Sequence, residues 1–308
     1  MQNIFLAPTT FGQFSDQPMQ LFKQNDFMIH SNQLGRKLQP KEIIKLANNA
    51  HCIIAGTELY TRNVLEQLPK LKIISRLGVG MDNIDLVAAR ERNIKIFKTK
   101  TTPAPAVAEL VLCLIIDVSR KISYSTQQLK LGKWEKKMGF LLQGKTLGII
   151  GLGTIGKTLV KLVKGFGFKI LAYDLYQDET FKKENNVKYC DLDNLIKESD
   201  IISVHLNLSN QTRNLINRQR LNLMKPDAIF INTSRGEIVD EDALYDILKG
   251  RNIHGAGLDV YNDEPYNGPL IELENVVLTP HIGSYAKEIR VQMEIEAVIN
   301  LIKGLNEA

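Results

Sequence analysis

The feature that most narrows the folds open to this chain is the run Thr146-Leu-Gly-Ile-Ile-Gly151-Leu-Gly153-Thr-Ile-Gly156-Lys-Thr-Leu-Val160. Residues 147–150 are apolar and read as a buried strand, and an amphipathic run to Phe166 reads as a helix. Between them stands G-x-G-x-x-G. Gly151 permits the tight strand-to-helix turn, Gly153 lets a pyrophosphate approach the backbone, and Gly156 lets helix and strand pack closely. The helix N-terminus then offers unpaired N–H groups and a positive dipole end to phosphates. Alone the glycine pattern is weak, because such turns arise by chance. Here the next strand, 169–173, ends in Asp174 about twenty residues on, where a carboxylate can bind the adenosine ribose hydroxyls. Together these parts specify a dinucleotide site. A carboxylate at Asp174 repels a 2′-phosphate, and no arginine follows it in residues 175–179, so NAD is favoured over NADP.

A chain of 308 residues has room for two domains, and 44% hydrophobic content supports ordinary cores. The formal charge of +5 is mild and spread out. It does not indicate a nucleic-acid partner, although it would welcome a small anionic substrate. Cys52, Cys113 and Cys190 are scattered without metal-ligand spacing. They are expected as free thiols in cores, which suits a reducing cytosol, and no metal is expected. The first residues enter a strand at once and show no signal peptide. The most apolar stretch, 104–118, contains Glu109 and Asp117 and is too short to span a bilayer. A cytoplasmic protein with no membrane partner is expected.

Residues 1–98 alternate short apolar runs (4–7, 27–30, 52–55, 73–77 and 95–97) with helical patterns at 40–50, 61–67 and 86–92. Strands alternating with helices imply a parallel sheet wrapped by helices. Next, Thr101-Thr-Pro-Ala-Pro suits a linker and a helix start, since proline is tolerated in the first turn. The helix expected at 106–120 is apolar nearly all round, so it must be buried against a domain or a second subunit. A second helix is expected at 123–131, followed by an irregular connection at 134–143. Strands at 147–150, 169–173, 201–204, 229–232, 255–258 and 276–278 then predict a six-stranded doubly wound sheet. Asn217 and Asp240 are expected N-caps, and Gly250 the stop of the later helix.

In such sheets function collects just beyond the carboxyl ends of the strands. Those positions hold His205, then Thr233-Ser234-Arg235-Gly236, then Asp259 to Pro265, then Thr279-Pro280-His281-Ile282-Gly283. Four strands thus aim arginine, acids and histidine at the rim where a nicotinamide would lie. Reducing a 2-oxo acid needs a hydride donor, a cation for the carboxylate and a proton donor for the carbonyl oxygen. Arginine supplies a fork that matches a carboxylate. Histidine titrates near neutrality, and a glutamate beside it fixes its tautomer. His205 has no acid after it to orient its ring, so its expected role is a backbone one near the cofactor. His30, His51 and His254 read as surface or structural residues.

Asn232-Thr-Ser-Arg235-Gly236, Asp259-Val-Tyr-Asn-Asp-Glu264-Pro265 and Thr279-Pro280-His281-Ile-Gly283-Ser284 resemble the signatures of the D-isomer-specific 2-hydroxyacid dehydrogenases. Ser75-Arg76-Leu-Gly78-Val79-Gly80-Met-Asp82-Asn83-Ile84-Asp85 is similar to that family's substrate-domain loop, and Ala106-Val-Ala-Glu109-Leu110 to its linker helix. The resemblance covers nearly the whole chain. It implies that Arg235 binds the substrate's carboxylate and carbonyl, that His281 is the acid/base, and that Glu264 orients it. Arg76, with the Val79 and Gly80 backbone, would bind substrate. Thr154, Ile155 and Asp174 would contact the pyrophosphate and adenosine half, and Thr233, Ser234, Arg235, Asp259, His281 and Gly283 the nicotinamide half.

The resemblance further implies a Rossmann doubly wound NAD-binding domain (99–283) and a discontinuous flavodoxin-like α/β substrate domain (1–98 and 284–308). Closure of the two would exclude water. A homodimer is the expected assembly, with a tetramer as the alternative. Two positions depart from the pattern: Leu206-Asn207 stand where a proline is usual after His205, and Lys100 where one precedes the linker helix. Among family members the chain looks most like the 3-phosphoglycerate dehydrogenases of serine synthesis, without the serine-sensing extension of longer relatives. Arg36, Lys37, Lys98 and Lys100 are candidates for a phosphate pocket. A glyoxylate or hydroxypyruvate reductase is the nearest alternative. A non-catalytic NAD-sensing corepressor resembling the C-terminal-binding proteins is the alternative of a different class.

Overall fold

Short, largely continuous apolar runs on parallel strands build two sheets in the computed structural model, which describes residues 1–25 and 27–307. Each sheet belongs to its own unit, Met1–Pro103 with Ser284–Ala308 and Ala104–Gly283. In the first unit β1 (Gln2–Leu6), β2 (Phe27–Ser31), β3 (Cys52–Ala55), β4 (Ile73–Arg76) and β5 (Lys95–Lys98) lie in the order β2-β1-β3-β4-β5. This is the flavodoxin-like strand order. Successive side chains point to opposite faces, so Ile4, Leu6, Cys52 and Ile54 enter one core while Phe5, Ala7, Ile53 and Ala55 enter another. Each fully buried isoleucine contributes about 1.5–3 kcal/mol. The Lys287–Asn306 helix lies on β3, β4 and β5, and supplies Met293, Ala297, Val298 and Leu301 to the first of these cores.

The second unit has seven strands, one more than the sequence pattern predicts. They are β6 (Thr146–Ile150), β7 (Lys169–Tyr173), β8 (Val187–Tyr189), β9 (Ile201–Val204), β10 (Ile229–Asn232), β11 (Gly255–Leu258) and β12 (Val276–Leu278). They run parallel in the order β12-β11-β10-β9-β6-β7-β8. The unpredicted strand, β8, has three residues with a lysine in the middle, so it shows no apolar run. Its pairing with β7 comes from the neighbour rather than from its own composition. Ile150, Ile202, Val204 and Phe230 face one core, and Leu147, Ile149, Ile201, Ile229 and Ile231 the other.

The helix predicted at 106–120 spans Ala104–Arg120, with Pro105 tolerated in its first turn. Its burial is not all-round. Val107, Ala108, Val111, Leu114, Ile115 and Val118 pack inward, while Pro105, Glu109 and Cys113 form an exposed stripe at four-residue spacing. Cys113 is therefore exposed and Cys190 only half-buried; of the three thiols expected in cores only Cys52 is buried. Asp240 and Asn217 cap their helices as predicted, accepting from the N–H groups of Ala243 and Arg220. No helix among the described residues is long and apolar enough to cross a membrane.

Candidate active site

Three glycines shape the turn after β6. Gly151 has φ +95, and a Cβ there would lie 2.6 Å from the carbonyl oxygen of His205 at the end of β9. Glycine alone fits. A Cβ on Gly156 would lie 2.6 Å from the Gly151 oxygen, whereas one on Gly153 would meet nothing within 4 Å, leaving room for a ligand. No side chain caps the Thr154–Leu162 helix, so its first N–H groups are available to an anion. Thr154 is exposed and Ile155 half-buried at this end. The half-buried Asp174 accepts from Leu152 N at 2.7 Å and from Tyr176 N at 2.9 Å. It thus braces the glycine turn, and each oxygen keeps a further lone pair for a ribose hydroxyl.

Next to this turn lie two buried polar atoms without hydrogen-bond partners among the described residues, His205 Nδ1 and Thr233 Oγ1. Val204 pairs with Asn232 across β9 and β10, so His205 and Thr233 are the next residues on adjacent strand ends. A sheltered polar atom left unpaired costs about 1–3 kcal/mol. Polar groups of a cofactor laid across this rim would recover that cost, so the residues fit a dinucleotide. Burial lowers the His205 pKa to about 4. Its ring, 2.9 Å from Ser203 Oγ, is neutral near pH 7 and cannot serve there as proton donor.

Beyond β10, β11 and β12 stand Arg235, Glu264 and His281. His281 Nδ1 lies 3.0 and 2.9 Å from the two Glu264 carboxylate oxygens. An ionised carboxylate only accepts, so Nδ1 carries the proton and Nε2, which has no partner among the described residues, is the atom that can exchange one. Both side chains are partly sheltered, 30% and 15% exposed. Arg235 is half-buried and its Nη1 donates to Ser234 O at 2.7 Å. Its loop is set against the loop of β11, since a Cβ on Gly236 would overlap the backbone of Tyr261 and Asn262. Direct contact thus joins Glu264 to His281. Arg235 reaches the same rim through its strand and through Gly236.

The carboxylate of Asp259 is engaged by the loop around His281. The residue is fully buried, and its carboxylate accepts from Thr279 Oγ1 (2.6 Å), Ile282 N (2.7 Å) and Gly283 N (2.8 Å). Burial pushes its pKa up, against the downward pull of those donors. The clamp encloses His281, which sits at φ +55, a backbone region unusual outside glycine. Two further residues escaped sequence reasoning. Tyr261 donates its hydroxyl to Thr279 O at 2.9 Å, with Leu258 O 3.2 Å away, tying the loops of β11 and β12 together. Asn232 accepts from Ser234 N and Oγ and donates to Arg235 O, an Asx turn that presents the arginine. An asparagine at a strand end before Thr-Ser-Arg-Gly carried that signal; Tyr261 gave none.

In the first unit, Arg76 closes β4 with its guanidinium turned inward, and only 6% of the residue is exposed. Val79 is exposed and Gly80 half-buried at the loop that follows. Of the four cations considered for a phosphate, Arg36 is engaged by both Glu42 oxygens at 2.9 and 2.6 Å, and Lys98 and Lys100 are exposed.

A model of the family described as D-isomer specific 2-hydroxyacid dehydrogenase, NAD binding domain, matches residues 112–283. Hydroxypyruvate reductase of Thermotoga maritima is 42% identical over 275 residues, covering 87% of this chain and 89% of that protein. D-3-phosphoglycerate dehydrogenase of Methanocaldococcus jannaschii is 40% identical over 257 residues, 82% of this chain but 49% of that protein, so the chain spans about half its length. Among solved structures, phosphoglycerate oxidoreductase from Vibrio cholerae superposes with a TM-score of 0.89 at 29% identity, with full coverage of both chains.

Proposed function

From the premise that this chain belongs to the D-isomer-specific 2-hydroxyacid dehydrogenase family, we propose that it reduces a small 2-oxo acid, hydroxypyruvate or glyoxylate, to the D-2-hydroxy acid, reversibly and with NADH. The observation that carries this reading is the His281–Glu264 pair, with the imidazole held through Nδ1 and Nε2 left to the substrate. The family works with a nicotinamide cofactor, which when bound supplies or takes the hydride at the substrate's C2. Arg235 holds the carboxylate and polarises the adjacent carbonyl. His281 gives the Nε2 proton to the carbonyl oxygen in reduction and takes it back in oxidation, while Glu264 holds the ring in place through Nδ1. On the first unit, the Val79 and Gly80 N–H groups are proposed as an anchor for a substrate carboxylate.

Two considerations support an unphosphorylated substrate. The hydroxypyruvate reductase named above matches this chain along nearly all of its own length. A phosphate would want a basic pocket, and Arg36 is instead neutralised by Glu42. The second reading, 3-phosphoglycerate oxidation in serine synthesis, is favoured by the phosphoglycerate dehydrogenase relative. The test is NADH oxidation followed by absorbance with hydroxypyruvate, glyoxylate, phosphohydroxypyruvate and pyruvate in parallel. The proposal expects kcat/KM to be highest for one of the first two. Preference for phosphohydroxypyruvate would establish the second reading, and failure with all four would favour a cofactor-sensing protein.

Cofactor choice rests on Asp174. Asp174→Ala is expected to reduce discrimination for NADH over NADPH by about tenfold, as the repulsion of a 2′-phosphate is lost. An unchanged ratio of the two dissociation constants, read by fluorescence titration, would remove Asp174 from the ribose site. The assembly proposed is a homodimer. Trp134, Met138 and Leu141 are 81%, 89% and 73% exposed on the segment before β6, and a second copy would cover them. A monomeric mass in light scattering at micromolar concentration would end that part.

A further inference from the structure

The first unit carries a buried polar frame that the reaction described above does not use. Arg76 Nε donates to Asn83 Oδ1 at 3.4 Å, and its Nη1 donates to the Leu77 carbonyl. Gly78 lies directly on the guanidinium: its φ is +145, and a Cβ there would overlap Nη1. The loop is also held from both neighbouring strands. Asn83 Nδ2 donates to Gly56 O (3.1 Å) and Glu58 O (2.7 Å) beyond β3, and Gly78 N donates to Thr99 Oγ1 (3.2 Å) beyond β5. What this frame presents is the Val79–Gly80 tip. Val79 is 43% exposed, and neither its N–H nor that of Gly80 has an acceptor among the described residues. Two successive N–H groups in a turn form a concavity that suits an anion.

Behind the frame sits Glu58, 3% exposed, whose carboxylate accepts from Gly56 N at 2.7 Å. Burial raises its pKa, against the pull of its own and the Gly56 backbone N–H groups and, behind them, of the Arg76 and Lys37 charges. A cation sheltered beneath two outward N–H groups reinforces their field in a low-dielectric setting, and a nearby anion weakens it.

We propose that Arg76 is a positioning residue for an anion seat at Val79 and Gly80: its guanidinium shapes the loop and charges it positively without touching the anion, and Glu58 attenuates that charge. The inference rests on the reading above, in which these N–H groups take a substrate carboxylate. It replaces direct binding by Arg76 with action through the loop.

The two charges make predictions of opposite sign, which a merely structural role would not produce. In the full chain, Arg76→Met is expected to raise KM for the preferred 2-oxo acid about tenfold, with kcat and the NADH dissociation constant within about twofold. Arg76→Lys should recover part of that loss. Glu58→Gln, which keeps the shape and removes the counter-charge, is expected to lower KM about two- to threefold at pH 8. The same order should appear in the dissociation constant of oxalate measured calorimetrically in the presence of NADH. Should Arg76→Met not fold, Glu58→Gln alone decides through the sign of its effect.

Unchanged or weakened anion affinity in Glu58→Gln overturns the proposal, as does unchanged affinity in a folded Arg76→Met. Oxalate affinities that shift as expected in a chain that reduces no oxo acid would keep the anion seat and remove the reaction, so the two failures are distinguishable.

Discussion

Replacing His281 with alanine is expected to lower turnover by about two to four decades while NADH still binds within about twofold of the parent affinity. The geometry isolates the effect. His281 Nδ1 is committed to Glu264, so truncation removes the one imidazole whose Nε2 can exchange a proton with a substrate oxygen at this rim. His205 cannot substitute, because burial holds its pKa near 4 and its ring uncharged at neutral pH. The glycine turn and Asp174 lie at other strand ends and do not depend on His281, so cofactor affinity should persist. A single-turnover measurement reads the chemical step, and fluorescence quenching reads the cofactor. Parent-like turnover in this variant would remove His281 from the mechanism and with it the reaction proposed here.

The second large effect belongs to a residue that touches His281 only through the backbone around it. Asp259→Ala is expected to destabilise the protein by about 2–4 kcal/mol and to lower kcat by at least tenfold. Truncation strands three donors at once, Thr279 Oγ1 and the N–H groups of Ile282 and Gly283, all of which now end on one buried carboxylate. The cost of burying that carboxylate offsets part of the gain, which is why the figure stays below the sum of three lost bonds. Released from its clamp, the His281 backbone would leave φ +55 for a more populated region, and the imidazole would swing from Glu264. Urea unfolding gives the first number and steady-state kinetics the second. Parent values for both would show that the turn holds itself without the aspartate.

Much of this architecture was legible because it depends on local patterns. Apolar runs of three to five residues between helical stretches mark eleven of the strands, since most of them are buried on both faces and need no polar alternation. The glycine turn is readable because each glycine answers a steric demand local to one strand, one turn and one helix. The strand β8 was not, because Val187–Tyr189 holds too few apolar residues to stand out before it is paired with β7. Cys113 is exposed rather than in a core for a related reason: composition says the Ala104–Arg120 helix is apolar, but only packing decides which stripe stays in solvent.

The candidate site divides in the same way. Residue types narrow the choice to the strand ends, because few side chains can hold a carboxylate, orient an imidazole or exchange a proton at neutral pH, and the family resemblance singles out Arg235, Glu264 and His281 among them. Their partnership is a different kind of fact. Glu264 and His281 are seventeen positions apart and meet only because β11 and β12 lie side by side. Asp259 reads in the chain as one more acid near the cofactor, and only the fold shows its carboxylate also holding the turn around His281. Arg76 reads in the chain as a cation beside the substrate loop, and only the fold shows how far it is buried and how closely Gly78 approaches its guanidinium. A linear sequence displays what a side chain can do chemically. Which partner takes its lone pairs and protons depends on distances that exist once distant strands have packed.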